Sequence, residues 1–211
     1  MKKLLLLSLG SICAASMLQA QFTITDSVEN NDGWEILTGG GFSTGVSGLA
    51  PTDGSTFFYA RTGGSGNRGA AKYFSETFIE GEYTISADIG HQEAWTFSEP
   101  GLLLMADTNN DGLYQYSERI LDGRTAISNP TPVEGSWETW TISYTINSST
   151  QTANGDLVLG HEIGFYVLDL LDSDGYAFDN LNISVIPEPS TTAALLGVTA
   201  LIGACGMRRR R

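Results

Sequence analysis

Two stretches of the chain alternate strictly between apolar and polar side chains. From Glu82 to Ile89, Tyr83, Ile85, Ala87 and Ile89 take one parity, and Glu82, Thr84, Ser86 and Asp88 take the other. From Trp137 to Ile146 the pattern repeats, with Trp140, Ile142, Tyr144 and Ile146 on one side and Thr139, Thr141, Ser143 and Thr145 on the other. A period of two predicts half-buried strands. Less regular runs predict further strands at Trp34–Thr38, Thr56–Arg61, Tyr73–Phe78, Leu102–Ala106, Asp156–Leu159, Ile163–Leu170 and Tyr176–Ile186. Turn-forming clusters separate them, among them Thr38-Gly39-Gly40-Gly41, Asp122-Gly123 and Asp172-Ser173-Asp174-Gly175. Many short strands with almost no helical periodicity imply an all-β fold, a β-sandwich or jelly roll.

The two ends follow a different pattern. Lys2 and Lys3 precede the apolar run Leu4–Leu9, and a small-residue region closes at Leu18-Gln19-Ala20. This predicts a signal peptide over residues 1–20, cleaved before Gln21. At the other end Pro187, Glu188 and Pro189 lead into an apolar run that stops against Arg208, Arg209, Arg210 and Arg211. A spanning helix needs about 17–25 apolar residues, so Thr191–Met207 predicts a single C-terminal transmembrane helix. The arginines favour its cytoplasmic side. The expected organisation is therefore signal peptide, β-sandwich domain over 21–186, and tail over 187–211.

The Pro-Glu-Pro, apolar span and arginine cluster of the tail resemble the PEP-CTERM sorting signal of Gram-negative bacteria. That resemblance implies an exosortase-type protease as partner, cutting near Pro187-Glu188-Pro189. It also implies an exported protein, anchored in the inner membrane before processing and then resident on the outer cell surface or in the extracellular matrix. On the residues alone, an ordinary C-terminal anchor after a rigid proline turn remains the alternative.

Charge and cysteine usage narrow the middle. The chain's 24 acids less Glu188, and its 11 bases less Lys2, Lys3 and the four terminal arginines, leave 23 against 5, a net of about −18 for residues 21–186. Such a surface repels phosphates, which argues against nucleic acid as a partner. Cys13 and Cys205 both lie in the flanking segments, so no disulfide is expected within the domain. About 165 residues suffice for one core.

Two patterns point to calcium as a cofactor. Residues 107–118 fit D-x-[DN]-x-[DN]-G-x5-E at every required position. Asp107, Asn109 and Asp111 would supply side-chain oxygens, Leu113 its carbonyl, Gln115 a direct or water-mediated contact, and Glu118 a bidentate carboxylate. The strand expected at Leu102–Ala106 excludes an EF-hand's flanking helices, and a hairpin loop around Asp111-Gly112 is the plainer alternative. Separately, Val28-Glu29-Asn30 with Gly33-Trp34, the Trp137–Trp140 strand and the closing Phe178-Asp179-Asn180-Leu181 together resemble galactose-binding-like jelly rolls, which include many carbohydrate-binding modules. That resemblance implies a structural calcium between Glu29 and Asp179. Parity adds that Asp179 shares a face with Leu181, Ile183 and Val185, so it points inward if they do; the alternative is a solvated strand end.

Catalytic patterns find no support. Gly41-Phe42-Ser43-Thr44-Gly45 matches G-x-S-x-G and Gly64–Gly69 matches G-x-G-x-x-G, but neither sits between a strand and a helix. His91 and His161 lack relay or zinc spacing. Of the aromatic residues that could stack on a sugar (Trp34, Trp95, Tyr114, Tyr116 and Trp137), Trp95 lies in the most polar surroundings and is the prime candidate for ligand binding. The expected function is a non-catalytic binding or structural role at the cell surface or matrix, with polysaccharide as ligand. The rival class is a secreted glycoside hydrolase or lyase.

Overall fold

A computed structural model describes residues 21–29, 32–46, 48–61, 69–120, 124–126, 129–169 and 175–188. The chain divides into two units, Phe22–Val185 and the combined ends Met1–Gln21 and Ile186–Arg211. The expected signal peptide, the Thr191–Met207 span, Pro189 and the four arginines lie outside the described residues. Among the described residues no helix is long and apolar enough to cross a membrane.

The unit Phe22–Val185 is a two-sheet sandwich. Its strands are β1 (Phe22–Asp26), β2 (Glu35–Thr38), β3 (Gly40–Ser43), β4 (Phe57–Arg61), β5 (Gly69–Thr77), β6 (Gly81–His91), β7 (Pro100–Ala106), β8 (Arg124–Ala126), β9 (Ser136–Ile146), β10 (Glu162–Asp169) and β11 (Gly175–Pro187). The larger sheet has the order β3-β4-β11-β6-β9-β8, with β1 also paired to β11, and the smaller one the order β2-β5-β10-β7. The two alternating stretches become β6 and β9, paired antiparallel from Gly81↔Ile146 to His91↔Ser136. Their apolar parity enters the core, where Tyr83, Ile85, Ala87 and Ile89 are wholly buried. Their hydroxyl-bearing parity covers the outside, as expected of an antiparallel sheet wetted on one face.

The sheets meet through aromatic rings. Phe165 on β10 and Phe178 on β11 stack at 5.6 Å and 17°, and Trp34 packs edge-on against both, at 6.3 and 5.6 Å. Each such side chain contributes roughly 1.5–3 kcal/mol by leaving water. One side of the sandwich is also bridged by charge: Lys72 of β5 bonds Asp26 of β1 and, at 2.9 Å, Asp32. Asp26 further accepts the Val28 amide at 2.7 Å and the Trp34 indole at 3.0 Å. This buried carboxylate thus has every charged and polar neighbour it needs.

Some expectations fail locally. Asp156–Leu159 is not a strand: Gly155 and Gly160, with φ of 91° and 81°, bracket it with turns, leaving only an isolated Gln151↔Leu157 bridge. Conversely β1, β3 and β8 form where no strand was expected. Strand β3 owes its place to glycine, because a Cβ on Gly40 would stand 2.5 Å from the Phe58 ring.

Candidate functional site

Strand β4 pairs with Gly175–Phe178 at the start of β11, and β1 pairs with Leu181–Val185 further along it. Between these partners lie Asp179 and Asn180, the latter at φ 50°, a conformation that asparagine tolerates better than most residues. The loop 52–56 fills the gap. Asp179 Oδ2 accepts from the Thr52 amide at 2.6 Å, the Thr52 hydroxyl at 3.0 Å and the Asp53 amide at 3.2 Å, while Oδ1 accepts from the Asn180 amide at 2.9 Å. Glu29 takes the Ser55 amide and, at 3.3 Å, the Thr56 amide on one oxygen. Its other oxygen takes both hydroxyls at 2.9 Å.

Asp179 does face inward, wholly buried, and with Glu29 it grips consecutive residues of one loop. Every oxygen of the pair is engaged by neutral donors, near the roughly four lone-pair sites a carboxylate has. The donor set as arranged therefore does not suit a cation between Glu29 and Asp179. The two groups also differ electrostatically. Bonds from the Ser55 amide and hydroxyl and the Thr56 hydroxyl lower the Glu29 pKa to about 2. Burial raises that of Asp179 above the usual carboxylate value, against the pull of the Thr52 and Asp53 amides.

The loop 107–118 folds back over the outer face of the smaller sheet. Asn110 and Gly112 supply its bends at φ 57° and 66°. Asp107 accepts from the Asp111 and Gly112 amides at 3.1 and 2.9 Å, Asn109 from the Asp111 amide at 2.9 Å, and Asp111 from the Leu113 amide at 2.8 Å. Glu118 accepts from the Thr108 amide at 3.1 Å and from the Tyr73 hydroxyl at 2.8 Å. Asp107 and Glu118 are both buried, and neither has a salt bridge among the described residues. Burial, then Glu118, Asp107 and Asp111, push the Tyr73 phenol well above its ordinary pKa. Tyr73 is thus held as a neutral donor, unsuited to act as a nucleophile.

Asp107, Asn109, Asp111 and Glu118 keep the order and bends of a calcium loop. However, the Gln115 and Asn109 amide nitrogens donate to Asp111 at 3.0 and 3.1 Å rather than offering oxygens, a choice of amide orientation that hydrogen bonding alone assigns. Among the described residues no three carboxylate, imidazole or thiol groups stand close enough to hold a metal.

Trp95 rides on the turn that follows β6. Ala94 adopts φ 61°, a strained value for a residue with a Cβ, and its amide is fixed by Glu134. His91 sits between the Trp95 carbonyl at 2.8 Å from Nε2 and the Pro132 carbonyl at 3.1 Å from Nδ1. The indole is half-buried against Gly175, where an added Cβ would meet it at 3.0 Å. The Arg61 guanidinium lies 5.0 Å from the ring centroid.

The other aromatic candidates divide. Trp34 is core. Trp137 packs edge-on against Phe57 at 5.3 Å and donates to the Ala50 carbonyl at 3.0 Å. Tyr114 and Tyr116 pack on Tyr166 at 4.7 and 6.5 Å. Sequence reasoning missed Arg61, Tyr73 and Tyr166, because their roles arise from neighbours distant in the chain. The G-x-S-x-G match dissolves: Ser43 ends strand β3 and bonds Gly45 in a local turn, at 2.9 and 3.1 Å. His161 bonds the Asp107 carbonyl at 3.0 Å. The G-x-G-x-x-G match at 64–69 lies outside the described residues except for Gly69.

No family model matches the chain, and no curated protein does. The fold is similar to that of the CBM22-1 xylan-binding domain from Paenibacillus barcinonensis Xyn10C, with a TM-score of 0.51 and 15% identity over 80% of this chain and 97% of that domain. It is also similar to the CBM22-1-CBM22-2 tandem of the same protein, with a TM-score of 0.50 and 14% identity over 80% of this chain and 46% of the tandem. The chain thus folds as a β-sandwich like that of carbohydrate-binding modules.

Proposed function

We propose that this is an exported, non-catalytic carbohydrate-binding protein that engages extracellular polysaccharide at the turn carrying Trp95. The Arg61–Trp95 pair is the observation that carries this. A pyranose offers a C–H face to an indole and hydroxyls to guanidinium N–H groups, and here Arg61, at the end of β4, meets Trp95 on the turn held by His91 and Glu134. The fold, shared with xylan-binding domains, supports the ligand class. Delivery by the signal peptide, retention through the Thr191–Met207 span and release by an exosortase-type protease at Pro187-Glu188-Pro189 complete the proposal, with the outer surface or matrix as destination.

Affinity electrophoresis of the full chain in soluble arabinoxylan, mixed-linkage β-glucan and alginate tests the binding. Retardation by at least one polymer, reduced tenfold or more in Trp95→Ala and without release of reducing ends, is expected. Reducing-end release abolished by one carboxylate substitution would instead make the protein a glycosidase or lyase. Finding the unprocessed chain in the cytosol on fractionation would remove the export component.

Within this proposal calcium draws together Asp107, Asp111 and Glu118, which do not stand close enough to hold it as arranged, with Asn109, the Leu113 carbonyl and Gln115 completing its shell. Two buried carboxylates without a salt bridge and the two bends at Asn110 and Gly112 support it. Calcium bound only by the folded state raises the melting temperature; an unchanged melt at millimolar calcium, in wild type and Asp107→Ala alike, would discard it.

A further inference from the structure

We propose that Asn147 is a glycosylation site, the acceptor for an oligosaccharide delivered from a lipid-linked diphosphate. This rests on the export reading above, because Asn-x-Ser/Thr triplets are modified on the surface loops of secreted chains. Three such triplets occur in the sequence, beginning at Asn129, Asn147 and Asn182. Pro130 bars the first, since the middle residue of an acceptor triplet cannot be proline. Sequence does not choose between the other two, but the fold does. Asn182-Ile183-Ser184 lies inside β11, which has β6 on one edge and β1 on the other, with Asn182 opposite Thr25 and Ser184 opposite Thr23. Ile183 is wholly buried. To grip this triplet a transferase would have to peel the strand from both neighbours and draw a core side chain into water.

Asn147-Ser148-Ser149 instead follows the last residue of β9, in a turn closed by the Thr150 amide on the Asn147 carbonyl at 3.0 Å. All three residues are exposed. The Asn147 amide donates to the hydroxyl of buried Thr150 at 2.9 Å, which anchors the turn. Asn147 Oδ1 accepts from the Ser149 amide at 2.9 Å and from the Ser149 hydroxyl at 2.7 Å. A backbone N–H only donates, so the atom that faces it is the oxygen, and Nδ2 is the other limb of an exposed carboxamide. The two groups that define the triplet, the acceptor nitrogen and the hydroxyl two residues on, thus stand together on one turn. In the transfer Nδ2 attacks the anomeric carbon: the N–C1 bond forms as the C1–O bond to diphosphate breaks. The diphosphate leaves with that electron pair, and one Nδ2 proton passes to a base of the transferase. The pairing of β6 with β9 runs from Gly81↔Ile146 to His91↔Ser136, so the Asn147 turn and the His91 end of that pair stand roughly 34 Å apart at about 3.4 Å per residue. A glycan on Asn147 therefore adds a bulky, solubilising group and leaves the Trp95 turn open.

The test is intact mass and peptide mapping of the full chain recovered from the envelope and medium of the host that makes it, with variants expressed in the same host. Exported wild type, cleaved before Gln21, is expected to carry a single oligosaccharide increment, on the peptide that contains Asn147. Asn147→Asp keeps an oxygen for the Ser149 donors but has no nitrogen to attack. It is expected to lose the increment with its circular dichroism and melting temperature those of deglycosylated wild type, which separates modification from folding. Ser149→Ala is expected to lose the increment and Ser149→Thr to keep it, since either hydroxyl completes the triplet. Asn182→Asp is expected to keep it. An exported chain without the increment, one with it on Asn182, or a Ser149→Ala variant that retains it would overturn the site and leave the export and carbohydrate readings intact. A chain that still carries residues 1–20 and no increment would instead overturn the export reading, and the site with it.

Discussion

Two loops rich in carboxylates serve this sandwich in opposite ways. At loop 52–56 the acids Glu29 and Asp179, apart from the Asn180 amide on Asp179, receive their donors from residues at least 26 positions away in the chain, so these bonds tie the loop before β4 to β11 and to the segment after β1. At loop 107–118 the donors to the side chains of Asp107, Asn109 and Asp111 come from within five residues, so these bonds shape the loop itself. Its outward ties run from Glu118 to Tyr73 on β5, from the Tyr114 amide to Glu35 on β2 and from the Asp107 carbonyl to His161. Sequence spacing announces the second arrangement and conceals the first. A carboxylate that stitches distant segments is a structural element, whereas a self-contained acidic loop is free to be specialised for an ion.

The largest effect separating the two is expected from Asp179→Ala. It takes from the Thr52 and Asp53 amides the acceptor that they reach through partly buried bonds, and a donor left unsatisfied costs about 1–3 kcal/mol. A loss of about 3 kcal/mol in urea unfolding is expected; a loss below 1 kcal/mol would show that the gap in β11 does not depend on the carboxylate. Asp107→Ala without calcium is expected to cost less, because its bonds are local. With calcium at a hundredfold excess over its dissociation constant, wild type should gain about 2.7 kcal/mol that Asp107→Ala and Glu118→Gln lack. A gain of similar size lost in Glu29→Gln instead would move the ion to the other loop.

Tyr73→Phe removes the donor from buried Glu118 and is expected to cost about 1–2 kcal/mol. In wild type the Tyr73 phenol should stay protonated at pH values where free tyrosine ionises, as burial also holds Tyr83 and Tyr166, and ultraviolet titration would detect this as one delayed tyrosine fewer in Tyr73→Phe. The smallest expected effect is a pH dependence at the first loop. Glu29, with its folded pKa lowered to about 2, contributes stability that is fully present above its unfolded value near 4.5 and lost as pH falls through about 2. Glu29→Gln should flatten the acid limb of the stability curve between those values. Asp179 acts with the opposite sign: its raised pKa favours the fold at low pH, and that contribution is lost as pH rises through the folded value. At the alkaline end Lys72 is lowered by burial but raised more by Asp26 and Asp32, for a net increase. Its contribution is present below the unfolded value near 10.4 and lost as pH rises through the folded one. Lys72→Met should remove that limb.

Side-chain parity along the chain determined the all-β class and the inward face of the strands β6 and β9. Alternation with a period of two is itself the condition for burying one side of a strand. It placed Asp179 on the parity of Leu181, Ile183 and Val185, and spacing presented the candidate oxygen ligands of 107–118 in order, because both follow from positions only a few residues apart. Tertiary structure alone decided what meets those residues. Whether a buried carboxylate finds an amide, a tyrosine or an arginine depends on segments brought from up to 127 positions away. That Arg61 and Arg119 lie on Trp95 and Tyr116 follows from which segments the fold brings side by side, a distance that local pattern does not encode.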